Sequence, residues 1–228
     1  MHAGRRGVAV AETGEARVSA VAATAMTPDV ITAADVRIAG LGWDDRRGTR
    51  AMLLFILTEA MLFVALFFAY FYLGAGQPHW PMDDPPKLTL ALSMLAVLLL
   101  SSVAVWFGEQ AGKRGNSALA RLLVLAGCVL GGVFLYLQTL EYADHLRLLK
   151  PTADAYASLF YTITSIHGLH VMLGLSMLAY TLLLPLPEHS DRPPYRALHN
   201  AGLYWHFVDA VWIVIVLLLY VAPNTGAA

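Results

Sequence analysis

Four ionisable residues stand deep inside apolar stretches of this sequence: Glu59, His167, His170 and Asp209, with His206 one turn from the last of them. Carboxyl and imidazole groups in hydrocarbon cost several kcal/mol, so they normally face protein, water or a partner, and they mark functional sites by default. Their spacing sorts them onto helix faces. His167 and His170 are i,i+3 on one stretch and His206 and Asp209 are i,i+3 on the next. Trp205, Asp209 and Trp212 extend that second stripe, so each helix presents one polar seam. Gly168 and Gly174, with Ser165, let a neighbouring backbone approach the first seam, which implies that the two helices meet. Glu109 and Glu141 sit at the ends of apolar stretches, where their heads are expected to reach water.

Three chemistries compete for these groups. Imidazoles and carboxylates can satisfy one another as buried hydrogen-bond partners that fix helix register, with Asp209 paired to His206 or to a histidine of the preceding helix. A metal or haem site needs more: a di-iron bundle uses Glu-x-x-His twice with two further glutamates at one depth, and His170 with His206 for a bis-histidine haem differ in depth by several Å. The third is proton handling or lipid anchoring at Glu59, where desolvation favours the neutral carboxyl group.

The elements that position these groups follow from composition. AVILMFWYC make up 58% of the 228 residues and charged residues 14%, against about 25% charged in soluble domains. A bilayer core about 30 Å thick needs about 20 apolar residues. Five stretches qualify: Ala51 to Leu73, Leu88 to Phe107, Leu122 to Leu140, Ala157 to Leu184 and Ala201 to Ala222. The expected fold is all-α, a polytopic membrane protein with five transmembrane helices in an up-and-down bundle. Glu59, His167, His170 and Asp209 then all fall near the midplane, Glu59 about 12 Å from the nearer boundary at 1.5 Å rise per residue.

Lys and Arg gather on one side of these spans, from Arg37 through Lys113, Arg114 and Arg121 to Arg196, leaving Lys87, Arg147 and Lys150 on the other, so the N-terminus is expected inside. Residues 1–48 are broken by Glu12, Glu15, Arg17, Asp29, Asp35 and Arg37 and read as a mobile cytoplasmic tail, with Met26 an alternative start; 49–223 form the membrane domain. Trp80 and Tyr156 on one side, and Tyr204 and Trp205 on the other, read as interface-belt residues. Cys128 is expected as a small core hydrophobe and excludes an internal disulfide. A formal net charge of −1 offers no basic excess for nucleic acid.

Four segments resemble subunit III of the haem-copper terminal oxidases. FILTEAMLFVALFFAYFY (Phe55 to Tyr72) resembles that family's helix with a buried glutamate, and LQTLEY (Leu137 to Tyr142) the glutamate-tyrosine closing its next-but-one helix. FYTITSIHGLHVMLG (Phe160 to Gly174) resembles its H-G-x-H-V-x-x-G helix, and YWHFVDAVWIVIVLLLYV (Tyr204 to Val221) its last helix. The four stand in the expected order over about Gly48 to Ala222; one departure is Met82, where the family often has a second proline after Trp80-Pro81.

The resemblance implies the five-helix bacterial form, in the bacterial plasma membrane. It implies an accessory subunit without haem or copper of its own, those groups belonging to partner subunits. Subunit I is the direct partner, reducing oxygen and pumping protons; subunit II receives electrons, with cytochrome c the expected donor and quinol the alternative. It further implies that the chain stabilises subunit I, holds phospholipid and assists proton uptake during aerobic electron transport. Glu59 matches the family's buried carboxylate, Glu141 the glutamate of the third span, His167, His170 and Gly174 the histidine helix, and Trp205, His206, Asp209 and Trp212 the closing helix. The alternatives from other classes are a stand-alone proton or small-solute transporter relaying through Glu59 and Asp209, and a b-type cytochrome; broken helices and internal repeats, usual in transporters, are not evident here.

Overall fold

In a computed structural model the described residues are 45–75, 77, 80, 88–148, 154–184 and 193–225. The chain divides into two units, Met1–Arg47 and Gly48–Ala228, the second of which contains every candidate site residue. Most of the expected tail, together with Met82 and the cations Lys87 and Lys150, lies outside the described residues.

Five long helices carry the fold: α1 (Asp45–Gly74), α2 (Leu88–Lys113), α3 (Ser117–Leu148), α4 (Ala155–Leu183) and α5 (Pro193–Val216). Each is long and apolar enough to cross a membrane, and no strand occurs among the described residues. Most outrun the apolar stretches that announce them, α3 by several residues at each end. Backbone hydrogen bonding continues through polar residues, whose side chains extend to the interface.

Helices α2, α3, α4 and α5 close a ring in which each packs on the next and α5 returns to α2. Helix α1 lies against α4 and α5, touching them through long side chains: Phe55 stacks on Tyr204 with ring centroids 5.9 Å apart, and Phe63 meets Phe207 at 6.4 Å. Opposite ends are marked by different contacts. Thr49 bonds Asn200, and Arg121 donates to the Leu184 carbonyl, at one end. Tyr70 and Tyr156 reach the chain around Leu218 and Leu219 at the other. Consecutive helices therefore run up and down.

The α2–α3 hairpin is written in local chemistry. Gly115 has φ of 78°, and the Asn116 and Gly115 amides donate back to the Ala111 and Gly112 carbonyls at 3.0 and 3.1 Å. This is a Schellman ending, in which glycine takes the left-handed position without steric cost. The next residue opens α3, because Asn116 Oδ1 accepts the Leu119 amide at 3.0 Å. Below the turn the two helices approach closely: a Cβ on Gly127 would lie 2.6 Å from Val105 Cγ2, and Ser101 Oγ donates to the Gly127 carbonyl at 2.9 Å. Helix α4 starts on Asp154, whose carboxylate accepts the Ala157 amide at 2.7 Å.

The last span departs from the regular helix expected through Ala222. Leu217–Val221 form a π-helical stretch before a short α6 (Ala222–Thr225). Widening the turn redirects backbone carbonyls, which must find donors inside a bilayer. Tyr70 Oη donates to the Leu218 carbonyl and Tyr156 Oη to the Leu219 carbonyl, both at 3.3 Å. The core beside it holds Trp205, Trp212, Tyr204, Tyr220, Phe134 and Phe160, all fully buried. This corrects the belt assignment of Tyr204, Trp205 and Tyr156: all three are buried against neighbouring helices. Cys128 is half-buried and packs against the core.

Candidate functional site

Glu59 on α1 and His170 on α4 meet across the bundle, with Glu59 Oε2 3.0 Å from His170 Nε2. The pair is mostly enclosed, the side chains being 24% and 11% exposed, and the Phe63 ring sits edge-on to the imidazole at 4.9 Å. The other imidazole nitrogen fixes the proton count. His170 Nδ1 lies 2.7 Å from the Ile166 carbonyl oxygen, which can only accept, so Nδ1 carries a hydrogen. The bond between Nε2 and the carboxyl oxygen then needs one further proton, held either by the carboxyl group donating to a neutral ring or by an imidazolium donating to a carboxylate. Both His170 nitrogens are thus engaged.

His167, one turn earlier on α4, does something different. It is fully buried, stacks on Trp212 at 4.9 Å and 25°, and meets Phe134 and Phe63 edgewise. Neither of its ring nitrogens has a hydrogen-bond partner among the described residues. The two histidines of the motif thus point to separate surroundings, one aromatic and one acidic.

On α5 the stripe faces α2. His206 Nδ1 lies 2.5 Å from Ser102 Oγ, and Trp205 Nε1 donates to Ser101 Oγ at 3.1 Å. The expected pairing of Asp209 with His206 or a histidine of α4 is not found: Asp209 is buried near Ser102 of α2, and neither carboxylate oxygen makes a well-aligned hydrogen bond among the described residues. Sharing a helix face does not aim two side chains at each other, and the serine on the facing helix takes the histidine instead. The Trp212 indole N–H is likewise without a partner there.

The glycines mark close approaches. A Cβ on Gly168 would stand 2.9 Å from Gln138 Oε1 of α3, and one on Gly174 would stand 2.8 Å from Trp205 Cε3. Trp205 is enclosed on its other side too, since a Cβ on Gly131 would lie 2.7 Å from its Cη2. One indole thus touches α2, α3 and α4.

Both carboxylates expected to reach water are buried. Glu141 is 1% exposed and accepts from Tyr220 Oη at 2.9 Å. Glu109 is 6% exposed, and its Oε1 lies 3.1 Å from Lys113 Nζ, 2.8 Å from His199 Nδ1 and 3.4 Å from Tyr195 Oη. Tertiary packing brings the start of α5 over the end of α2, which counting from span ends cannot register. Of this second cluster the sequence carries one visible signal, Lys113 at i+4 from Glu109. Ser101 and Ser102, adjacent hydroxyls in an uncharged span, are the signal for the α2 partners of α5. Gln138 has no comparable pattern around it, yet its amide donates to the Thr164 carbonyl at 2.7 Å and is buried.

No group of three or more metal-ligating side chains gathers among the described residues. Comparison with known proteins adds a lineage. A family model described as cytochrome c oxidase subunit III matches residues 44–223. Proteins named cytochrome c oxidase subunit 3 are similar over most of their length. The one from Synechocystis sp. is 36% identical over 173 residues, covering 74% of this chain and 73% of the relative. That of Lumbricus terrestris is 34% identical over 193 residues, covering 79% and 70%, and that of Heterololigo bleekeri 32% identical over 177, covering 74% and 68%.

Proposed function

The chain belongs to the cytochrome c oxidase subunit III family, and on that premise we propose that it is the accessory, cofactor-free subunit of a respiratory oxidase in a bacterial plasma membrane, its N-terminus inside. It stabilises the catalytic subunit I, shares the complex with subunit II, holds phospholipid and supports proton uptake. The observation that carries the proton role is the Glu59–His170 pair: a carboxyl group and an imidazole 3.0 Å apart near the middle of a span, with the other ring nitrogen against a backbone carbonyl. Glu141, bonded to Tyr220, is a second carboxyl group for the same role. His167, His206, Trp205 and Trp212, with Gly168 and Gly174, lock α2 to α5 into the shape that docks.

Support for a docked partner comes from α1. Among its described residues only Phe63 and Tyr70 are buried, while Leu54, Leu57, Met61 and Phe68 are each more than half exposed. That face needs a protein or lipid cover. A stand-alone transporter is disfavoured by a family match spanning most of the chain.

The test uses the assembled oxidase. Glu59→Gln keeps a donor for His170 Nε2 but cannot exchange a proton, so the complex should assemble normally and take up protons more slowly in turnover. Glu59→Ala should also loosen the subunit, since the imidazole loses a partner worth about 1 to 3 kcal/mol. Wild-type proton uptake in both variants would reduce the pair to packing.

A further inference from the structure

A groove of about 580 Å³ opens at the α2–α3 hairpin, lined by Trp106, Phe107, Gln110, Arg114, Leu119 and Leu123 among others. Its volume falls within the range of ligand sites, its walls are mainly apolar, and one cation stands at its rim. The Arg114 side chain is exposed and makes no ion pair or hydrogen bond among the described residues. Its neighbours are committed, Lys113 to Glu109 at 3.1 Å and Arg121 to the Leu184 carbonyl at 3.2 Å.

The depth of the groove identifies what fits. Arg114 follows directly on the last residue of α2, which puts it in the headgroup layer. Trp106 lies eight residues earlier, about 12 Å down the helix axis, whereas a headgroup layer is only about 5 to 8 Å thick. Trp106 and Phe107 close the apolar stretch of α2 and Leu123 lies at the start of that of α3, so the groove runs from the phosphate level to the hydrocarbon edge. Its lower wall is apolar and open, with Trp106 and Phe107 each about half exposed and their ring centroids 4.8 Å apart.

The cation's backbone is held in place. The Schellman turn at Gly115 and the Asn116 cap fix the residues on either side of it. Next to the groove the two helices pack closely, since a Cβ on Gly108 would stand 3.1 Å from Val124 Cγ2 and 3.2 Å from the Ala120 carbonyl.

We propose that this groove seats one anionic phospholipid, its phosphate on the Arg114 guanidinium and one acyl chain along Trp106, Leu119 and Leu123. Guanidinium and phosphate match in charge and in fork geometry, and the apolar trough accepts the chain beneath. The site deepens the lipid-holding part of the proposed function and rests on it, but it is built from different helices than the Glu59–His170 pair.

The experiment takes the purified oxidase complex, strips it with detergent and re-exposes it to phosphatidylglycerol or phosphatidylcholine. Native mass spectrometry then counts the lipids on this subunit. Wild type should bind one phosphatidylglycerol more than Arg114→Gln does, and should lose it roughly tenfold more slowly than it loses phosphatidylcholine, as expected of one charge-assisted contact. Arg114→Lys should retain the lipid in part, and Leu119→Trp, which fills the trough, should lose it with Arg114 intact. Equal phosphatidylglycerol counts in wild type and Arg114→Gln overturn the proposal, as does equal retention of the neutral lipid. If Arg114→Gln has no effect while the wild-type subunit still retains lipid, the groove falls and lipid holding stands; if the wild-type subunit retains no lipid, both fall.

Discussion

The Trp205 indole is fully buried between three helices, and Gly174→Ala tests that confinement. The added Cβ would lie 2.8 Å from Trp205 Cε3 and 3.1 Å from Cζ3, so the ring must retreat by more than half an ångström to reach ordinary contact at about 3.5 Å. It cannot retreat freely. Gly131 backs its far edge, and moving would stretch the 3.1 Å bond from Nε1 to Ser101. Overpacking of this kind costs about 1 to 3 kcal/mol, while replacing a helical glycine by alanine returns up to about 1 kcal/mol. The net for the single variant is a loss of about 0 to 2 kcal/mol, too close to zero to decide alone. Trp205→Phe withdraws much of the benzo ring and the N–H donor, and should cost about 2 to 4 kcal/mol from lost burial and the orphaned Ser101 partner. Combined, the two should cost less than their sum by at least about 1 kcal/mol, because the smaller ring leaves room for the methyl group. Sodium dodecyl sulfate titration of the purified chain in mixed micelles, followed by helical circular dichroism, measures all four corners of the cycle. Additivity within about 0.5 kcal/mol would refute the claim that Gly174 exists to admit the indole.

Two further substitutions probe the framework, beside those at Glu59 and Arg114. Gly115→Ala places a side chain at φ of 78° and should cost about 1 kcal/mol, while Gly115→Asn, better tolerated there, should cost less; a lower thermal midpoint for Asn than for Ala would contradict the turn geometry. Asp209→Leu removes two buried acceptors that make no well-aligned hydrogen bond among the described residues, so the oxidase complex should melt at the same temperature or higher, by up to about 1 to 3 kcal/mol of stability. A loss beyond about 1 kcal/mol would reveal a partner for Asp209 in the assembled complex.

Runs of about 20 mainly apolar residues dictate membrane helices because a helix satisfies its own backbone within one segment in hydrocarbon. Five such runs make the architecture readable from the chain alone, as do Gly115 and Asn116 for the hairpin and the small residues for close helix approach. The same logic picks out Glu59 and His170 as buried and ionisable. Their meeting is not legible, since residues 111 positions apart share no local pattern, and spacing along α4 cannot say that His170 turns toward α1 while His167 turns into an aromatic cage. Distance from a span end misjudges Glu109 and Glu141, because exposure depends on which neighbouring helix covers a side chain. The π-helical stretch at Leu217–Val221 has no signature either: its redirected carbonyls persist because Tyr70 and Tyr156, on two other helices, supply the donors. Helix identity is a property of consecutive residues and the solvent they must leave; partnership between polar groups is a property of packing, settled where separate helices bring their side chains within about 3 Å.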